Sequence, residues 1–221
     1  REQSSNVIAV DRQGRLIFCQ VGGRRIVRRN ADGIEQTLAD SCDGKPIGMP
    51  NDLWIAPDGS VYFTVPKTNA QRAKVVPADA VNGTVCRISP DGMTVTDVGA
   101  AVGVKGPNGV VGSADGKRLY WTDGATCGSA AIQPDGSLTH RELAAQMGSD
   151  GLALDEHGNL YTTAKEGIAV WSPAAEQIAL IPVPEAPANM KFGGTDGRTL
   201  FITARTGLYA VDLNVRGDGF R

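Results

Sequence analysis

The chain has 221 residues, with 22 Lys and Arg against 24 Asp and Glu and a formal charge of −2, a balance that excludes a basic nucleic-acid groove and a polybasic membrane surface. With 41% hydrophobic and 21% charged residues it has the composition of a soluble globular domain, and no apolar run approaches the ~18 residues of a membrane-spanning helix. Its 28 glycines and 12 prolines are spread along the whole length, which predicts many tight turns between many short strands.

In chain order the sequence reads as a string of hairpins. Residues 15–19 (RLIFC) follow the turn at Gly14, and 52–56 (DLWIA) and 60–64 (SVYFT) flank the turn at Gly59. Residues 119–122 (LYWT), 159–163 (NLYTT) and 199–203 (TLFIT) follow the turns at Gly116, Gly158 and Gly197. Alternating β-branched and aromatic residues across a glycine turn spell a β-hairpin. A second turn glycine follows at Gly33, Gly92 and Gly136, so a unit holds four strands in about 40 residues, the size of a propeller blade. The prediction is an all-β chain, a β-propeller of four-stranded blades with five repeats visible. A β-sandwich would have no reason to restart one register five times. Residues 66–80 and 139–147 are the only stretches expected to hold a short helix. The basic run 24–29 (RRIVRR) reads as the solvated face of an outer strand.

Cysteine and histidine narrow the chemistry. Cys19, Cys42, Cys86 and Cys127 have no CxxC spacing, which argues against a thiolate zinc site or a redox pair. Cys19 and Cys86 lie in strand-like runs and read as buried apolar residues; one bridge, between the loop residues Cys42 and Cys127, is an option. The only histidines, His140 and His157, fall in or after turns and read as solvated, which disfavours Ser-His-Asp and Cys-His mechanisms. No GxSxG elbow, P-loop or GxGxxG fingerprint is present. Residues 1–6 lack the layout of a secretory signal, which leaves cytoplasmic and exported locations equally open.

One spacing is more specific. Eight residues before each first-turn glycine stand Asn6, Asn51, Asn108, Asp150 and Asn189. If this slot opens the innermost strand of each blade, the five side chains converge on one axial funnel. The alternative is turn chemistry, because Asn and Asp cap loops through their own backbone. A ring of amide and carboxylate oxygens suits Ca²⁺, Mg²⁺ or Mn²⁺ and tolerates Zn²⁺.

The same residues carry a resemblance. The segment 49–64, MPNDL through APDGSVYFT, is similar to the "PND…DGSxYFTDP" signature of the SMP-30/gluconolactonase/luciferin-regenerating family. GPNGV at 106–110 resembles its "PNGL" segment, SDGLALD at 149–155 its "PDGxxxD", and 192–203 its "FGGxDxxxLYVT". Residues 208–217 are similar to the family's last strand.

This resemblance implies a six-bladed propeller with one divalent metal in the funnel, Ca²⁺ or Zn²⁺ ahead of Mg²⁺ or Mn²⁺. It implies hydrolysis of a sugar lactone or related cyclic ester by a metal-activated water. The family's ligands are a first-blade Glu, the Asn of PNG and the Asp of PDG. The last two carry over to Asn108 and Asp150, with Asp150 also the catalytic proton acceptor. Asn51 would contact substrate, and Asn6 and Asn189 would line the channel. Nothing before Asn6 matches the first-blade "EGPxW", and Glu2 is a poor substitute. Residues 1–221 are therefore read as a single propeller domain incomplete at its N-terminus relative to the family. Val65 stands where the family has Asp, and residues 19–23 depart from an acidic-His pattern, which bears on substrate range. The expected partner is a small-molecule lactone, with neither nucleic acid nor membrane. The rival readings are a non-catalytic carbohydrate- or protein-binding propeller and a different propeller enzyme.

Overall fold

The computed structural model describes residues 4–220, the Arg72 side chain excepted; Glu2 lies outside them. Four four-stranded antiparallel sheets and one of three strands follow one another along the chain. The first blade is β1 (Ser5–Val10), β2 (Leu16–Gln20), β3 (Arg25–Arg29) and β4 (Glu35–Ala39). A short hairpin, β5 (Ser41–Cys42) and β6 (Lys45–Pro46), leads to the second blade: β7 (Leu53–Ile55), β8 (Val61–Val65), β9 (Thr84–Ile88) and β10 (Val95–Asp97). The third is β11 (Pro107–Gly112), β12 (Arg118–Asp123), β13 (Thr126–Ile132) and β14 (Leu138–Ala145). The fourth is β15 (Leu152–Leu154), β16 (Leu160–Ala164), β17 (Gly167–Trp171) and β18 (Gln177–Pro182). The fifth is β19 (Pro187–Gly193), β20 (Thr199–Ala204) and β21 (Leu208–Asp212).

The five first-turn glycines all take the left-handed conformation, with φ from 72° at Gly197 to 93° at Gly59, a region that side chains with a Cβ rarely enter. The first strands of successive blades lie against one another, β1 on β7, β7 on β11, β11 on β15 and β15 on β19, so they form the inner wall of a radial array. Four apolar clusters fill the spaces between neighbouring blades. Ile17, Ile26, Leu53 and Phe63 lie between the first two, and Tyr62, Leu119 and Trp121 between the second and third. Cys127, Leu160 and Trp171 lie between the third and fourth, and Tyr161, Ile168, Phe192 and Leu200 between the last two. The second, third and fourth sheets are each packed between two neighbours, and burying those faces holds the blades in order.

Four expectations need correction. The fifth sheet has three strands; the chain beyond it bonds the β19–β20 turn, Leu213 N–H to the Arg198 carbonyl and Gly217 N–H to the Gly197 carbonyl, and then crosses to the fourth blade, Asp218 N–H to the Leu154 carbonyl and Glu156 N–H to the Arg216 carbonyl, all at 2.9 Å. Residues 139–147 are not helical; most of them form β14, whose ladder pairs Leu143 with Gly128 and overrides local propensity. The insertion does hold a single 3₁₀ turn, Arg72–Lys74, and a second at Ala100–Val102 lies outside both expected stretches. Cys42 is bridged to Cys86, with Cα atoms 6.5 Å apart, and not to Cys127, which is buried in β13. The arginine run occupies β3, third in its sheet, with Ile26 and Val27 fully buried and β4 outside it. His140 and His157 are exposed as expected. Among the described residues no helix is long and apolar enough to cross a membrane.

Candidate functional site

The five spaced residues stand at the entry of the inner strands, and Asn51, Asn108, Asp150 and Asn189 are tied to the second strand of their own blades. Asn51 N–H donates to the Thr64 carbonyl at 3.0 Å. The Thr122 hydroxyl accepts from the N–H groups of Asn108 (2.9 Å) and Gly109 (3.0 Å). The Thr163 hydroxyl does the same for Asp150 (2.9 Å) and Gly151 (3.3 Å), and Thr203 donates to the Asn189 carbonyl at 3.3 Å. In the third and fifth blades the threonine stands where the first ladder slips, between Pro107 and Val110 and between Pro187 and Asn189; the first blade slips between Ser5 and Ile8. Such bulges strip backbone groups of ladder partners and re-aim side chains.

Neighbouring ring positions touch in sequence. The Asn6 amide donates to the Asn51 carbonyl at 3.0 Å, and the Thr64 hydroxyl to the Asn108 carbonyl at 2.7 Å. The Asn108 amide donates to Asp150 Oδ1 at 2.9 Å. A Cβ on Gly151 would lie 2.4 Å from Asn189 Oδ1. The roles differ, however. Asn189 Oδ1 accepts from Met190 N–H at 2.8 Å, which is the turn chemistry weighed above, and Asn6 supports the Asn51 backbone. Asn51, Asn108 and Asp150 remain as the chemically available set.

Asn108 Oδ1 is buried and has no hydrogen-bond partner. An unpartnered buried acceptor costs about 1–3 kcal/mol, and a cation beside it removes that cost. The adjoining Asp150 carboxylate supplies full negative charge. Two hard oxygens of this kind fit a Ca²⁺, Mg²⁺ or Mn²⁺ ion, and Zn²⁺ at lower preference. Among the described residues no group of three or more His, Cys, Asp or Glu could hold a metal, so this pair with Asn51 is the donor set at hand. Desolvation between the blades raises the Asp150 pKa above the usual carboxylate range, while the Asn108 hydrogen bond and then the Arg205 charge oppose it.

Asp52 is a site residue the spacing argument passed over. It is 7% exposed, with Oδ1 accepting from Leu53 N–H at 2.7 Å and Oδ2 from Val110 N–H of the next blade at 2.9 Å. Burial pushes its pKa up to about 7 against the pull of those two bonds and the Lys191 charge, with the Asp150 charge adding to the rise. The signal was in the sequence: the slot after the ring residue holds Gly109 and Gly151 in the next two blades but Asp52 here. Arg205, in the turn between β20 and β21, was also missed.

Below the ring, a cavity of about 630 Å³ runs along the inner strands, lined by Asp52, Trp54, Val110, Asn189, Lys191 and Phe201 among others. At the far end of the same strands a pocket of about 300 Å³, bordered by Val10, Gly112, Leu154 and Phe220, contains none of the five ring positions.

The sequence matches the SMP-30/gluconolactonase/LRE-like region over residues 1–206. A gluconolactonase of Zymomonas mobilis is 30% identical over 237 aligned residues, covering 98% of this chain and 65% of that protein; the chain thus spans just under two thirds of that relative's length. Among solved structures, a structural-genomics protein assigned as a gluconolactonase superposes with a TM-score of 0.83 at 28% identity, over 97% of this chain and 76% of that one. A gluconolactonase of Xanthomonas campestris superposes with a TM-score of 0.80 at 28% identity, over 95% of this chain and 72% of that one.

Proposed function

Because the chain belongs to the SMP-30/gluconolactonase/LRE-like family, we propose that it hydrolyses a sugar lactone or related cyclic ester at the Asn51–Asn108–Asp150 end of its channel, with one divalent cation. The observation that carries this reading is the buried, unpartnered Oδ1 of Asn108 next to the Asp150 carboxylate. Asn108 Oδ1 and Asp150 would hold the cation, which when bound polarises a carbonyl and acidifies water.

The residues divide the remaining work. Asp150 accepts the proton of the water that attacks the lactone carbonyl carbon, and the desolvation that raises its pKa makes it a stronger base than an exposed carboxylate. The ring C–O bond then breaks, the leaving oxygen takes up a proton, and an open-chain hydroxy acid results. The Asn108 amide, donating to Asp150 Oδ1 at 2.9 Å, holds the carboxylate and leaves Oδ2 for this task. The Asn51 side chain makes no hydrogen bond among the described residues, so its amide is free to bind substrate and the developing oxyanion.

The test is to measure bound divalent metal and hydrolysis of glucono-δ-lactone on the purified protein before and after chelation. Stoichiometric metal with chelator-sensitive turnover is expected. Metal-free protein that binds sugar lactone and leaves it intact would mark a binding propeller instead.

A further inference from the structure

We infer that Asp52 and Thr64 of the second blade are positioning residues that fix where the Asn108 amide oxygen of the third blade stands; this rests on the reading of Asn108 as a cation ligand. The segment 108–110 lies where the β11–β12 ladder slips, between the Pro107 and Val110 pairings. Its backbone must therefore find partners outside the ladder. Thr122 of the same blade takes the N–H groups of Asn108 and Gly109. The Asn108 carbonyl and the Val110 N–H are satisfied from across the blade boundary, by the Thr64 hydroxyl at 2.7 Å and Asp52 Oδ2 at 2.9 Å.

The two residues also hold each other through the Asp52 backbone. Asp52 N–H donates to the Thr64 hydroxyl at 3.0 Å, and Thr64 N–H to the Asp52 carbonyl at 2.9 Å. The Thr64 hydroxyl thus spends its one proton on Asn108 and its lone pair on Asp52, while both Asp52 oxygens are committed to backbone donors. The fourth blade presses from the other side, because a Cβ on Gly109 would lie 2.2 Å from the Asp150 carbonyl oxygen. These contacts fix the Asn108 backbone, and the bond from its amide to Asp150 Oδ1 at 2.9 Å then orients the side chain and its oxygen. The effect assigned to Asp52 passes through Asn108, by way of the Val110 N–H that its Oδ2 holds.

A structural clamp and a positioning clamp differ in one readout. Ca²⁺ and then Zn²⁺, each alone, are titrated calorimetrically into chelator-treated wild type, Thr64→Val, Thr64→Ser, Asp52→Asn and Asn108→Ala, with circular dichroism confirming the fold of each. Thr64→Val and Asp52→Asn should bind about 10–100-fold more weakly, the range for residues that orient a ligand. Thr64→Ser, which keeps the hydroxyl, should restore wild-type affinity. If Thr64→Val does not fold, Asp52→Asn decides, since it keeps the shape and one acceptor. Folded variants with wild-type affinity, alongside an Asn108→Ala that loses it, overturn the positioning role and leave the ligand reading standing. Wild type that binds neither ion overturns the ligand reading, and the inference with it.

Discussion

At Asp52, burial and hydrogen bonding pull in opposite directions, and burial prevails: the carboxyl titrates near 7 despite two backbone donors. A carboxyl whose folded pKa lies above its unfolded value of about 4 stabilises the fold when protonated. That contribution is complete below pH ~4 and lost as pH rises through 7. In chelator, wild type should therefore lose stability relative to Asp52→Asn across pH 4 to 7. The Tm difference between the two should climb through that window and level off above it; a difference independent of pH would show that the side chain does not titrate there. The ring positions should separate by role. Asn51→Ala should retain the cation and lose about 10²–10³-fold in kcat, as oxyanion donors do. Asn108→Ala, which removes a proposed ligand, should weaken cation binding by at least the ~10–100-fold that loss of an orienting partner costs. Titration of the ion with kcat measured at saturation distinguishes them, and an Asn51 variant that loses the ion would place that amide among the ligands.

The inner strands show why some elements could be read and others not. Turn glycines mark the blades because the αL conformation at Gly14, Gly59, Gly116, Gly158 and Gly197 selects glycine, and the ring followed from their spacing. The threonines that seat the ring backbone recur at Thr64, Thr122, Thr163 and Thr203, five or six residues after the turn glycines of four blades, but a threonine in a strand is unremarkable until the backbone it holds is seen. β14 was misplaced because its alanines favour a helix while β13 offers a ladder. The Cys42–Cys86 bridge joins β5 to β9, elements brought together only by the packing of the second blade. It closes 44 residues, so replacing both cysteines by alanine should cost about 3–4 kcal/mol and lower Tm by about 5–15 °C. Calorimetry that finds no change would mean the bridge constrains little in the unfolded chain. Gly109→Ala should force the Asp150 carbonyl away and weaken cation binding while the third blade's ladder stays intact, as seen by titration and circular dichroism.

Across the whole molecule, the blades place two carboxamides and one carboxylate, Asn51, Asn108 and Asp150, from three consecutive sheets at one end of the inner strands. The blade count and its all-β character were legible because hairpin spacing is a local property repeated along the chain. The protonation of Asp52, the unpartnered oxygen of Asn108 and the contact between Asn108 and Asp150 were not, because each exists only where one blade meets the next. A cation held at the proposed site by the folded form alone would raise Tm with its concentration. The most direct test is to compare wild type and Asp150→Asn for bound divalent metal and for hydrolysis of glucono-δ-lactone in one experiment, after chelation and re-addition of Ca²⁺ or Zn²⁺. Asp150→Asn keeps the shape of the side chain and removes the one full charge among the ring positions. The account predicts that wild type regains metal and turnover together, while the variant retains no metal and is slower by about 10²–10⁴-fold. An Asp150→Asn protein that binds the ion and hydrolyses the lactone at the wild-type rate would contradict it.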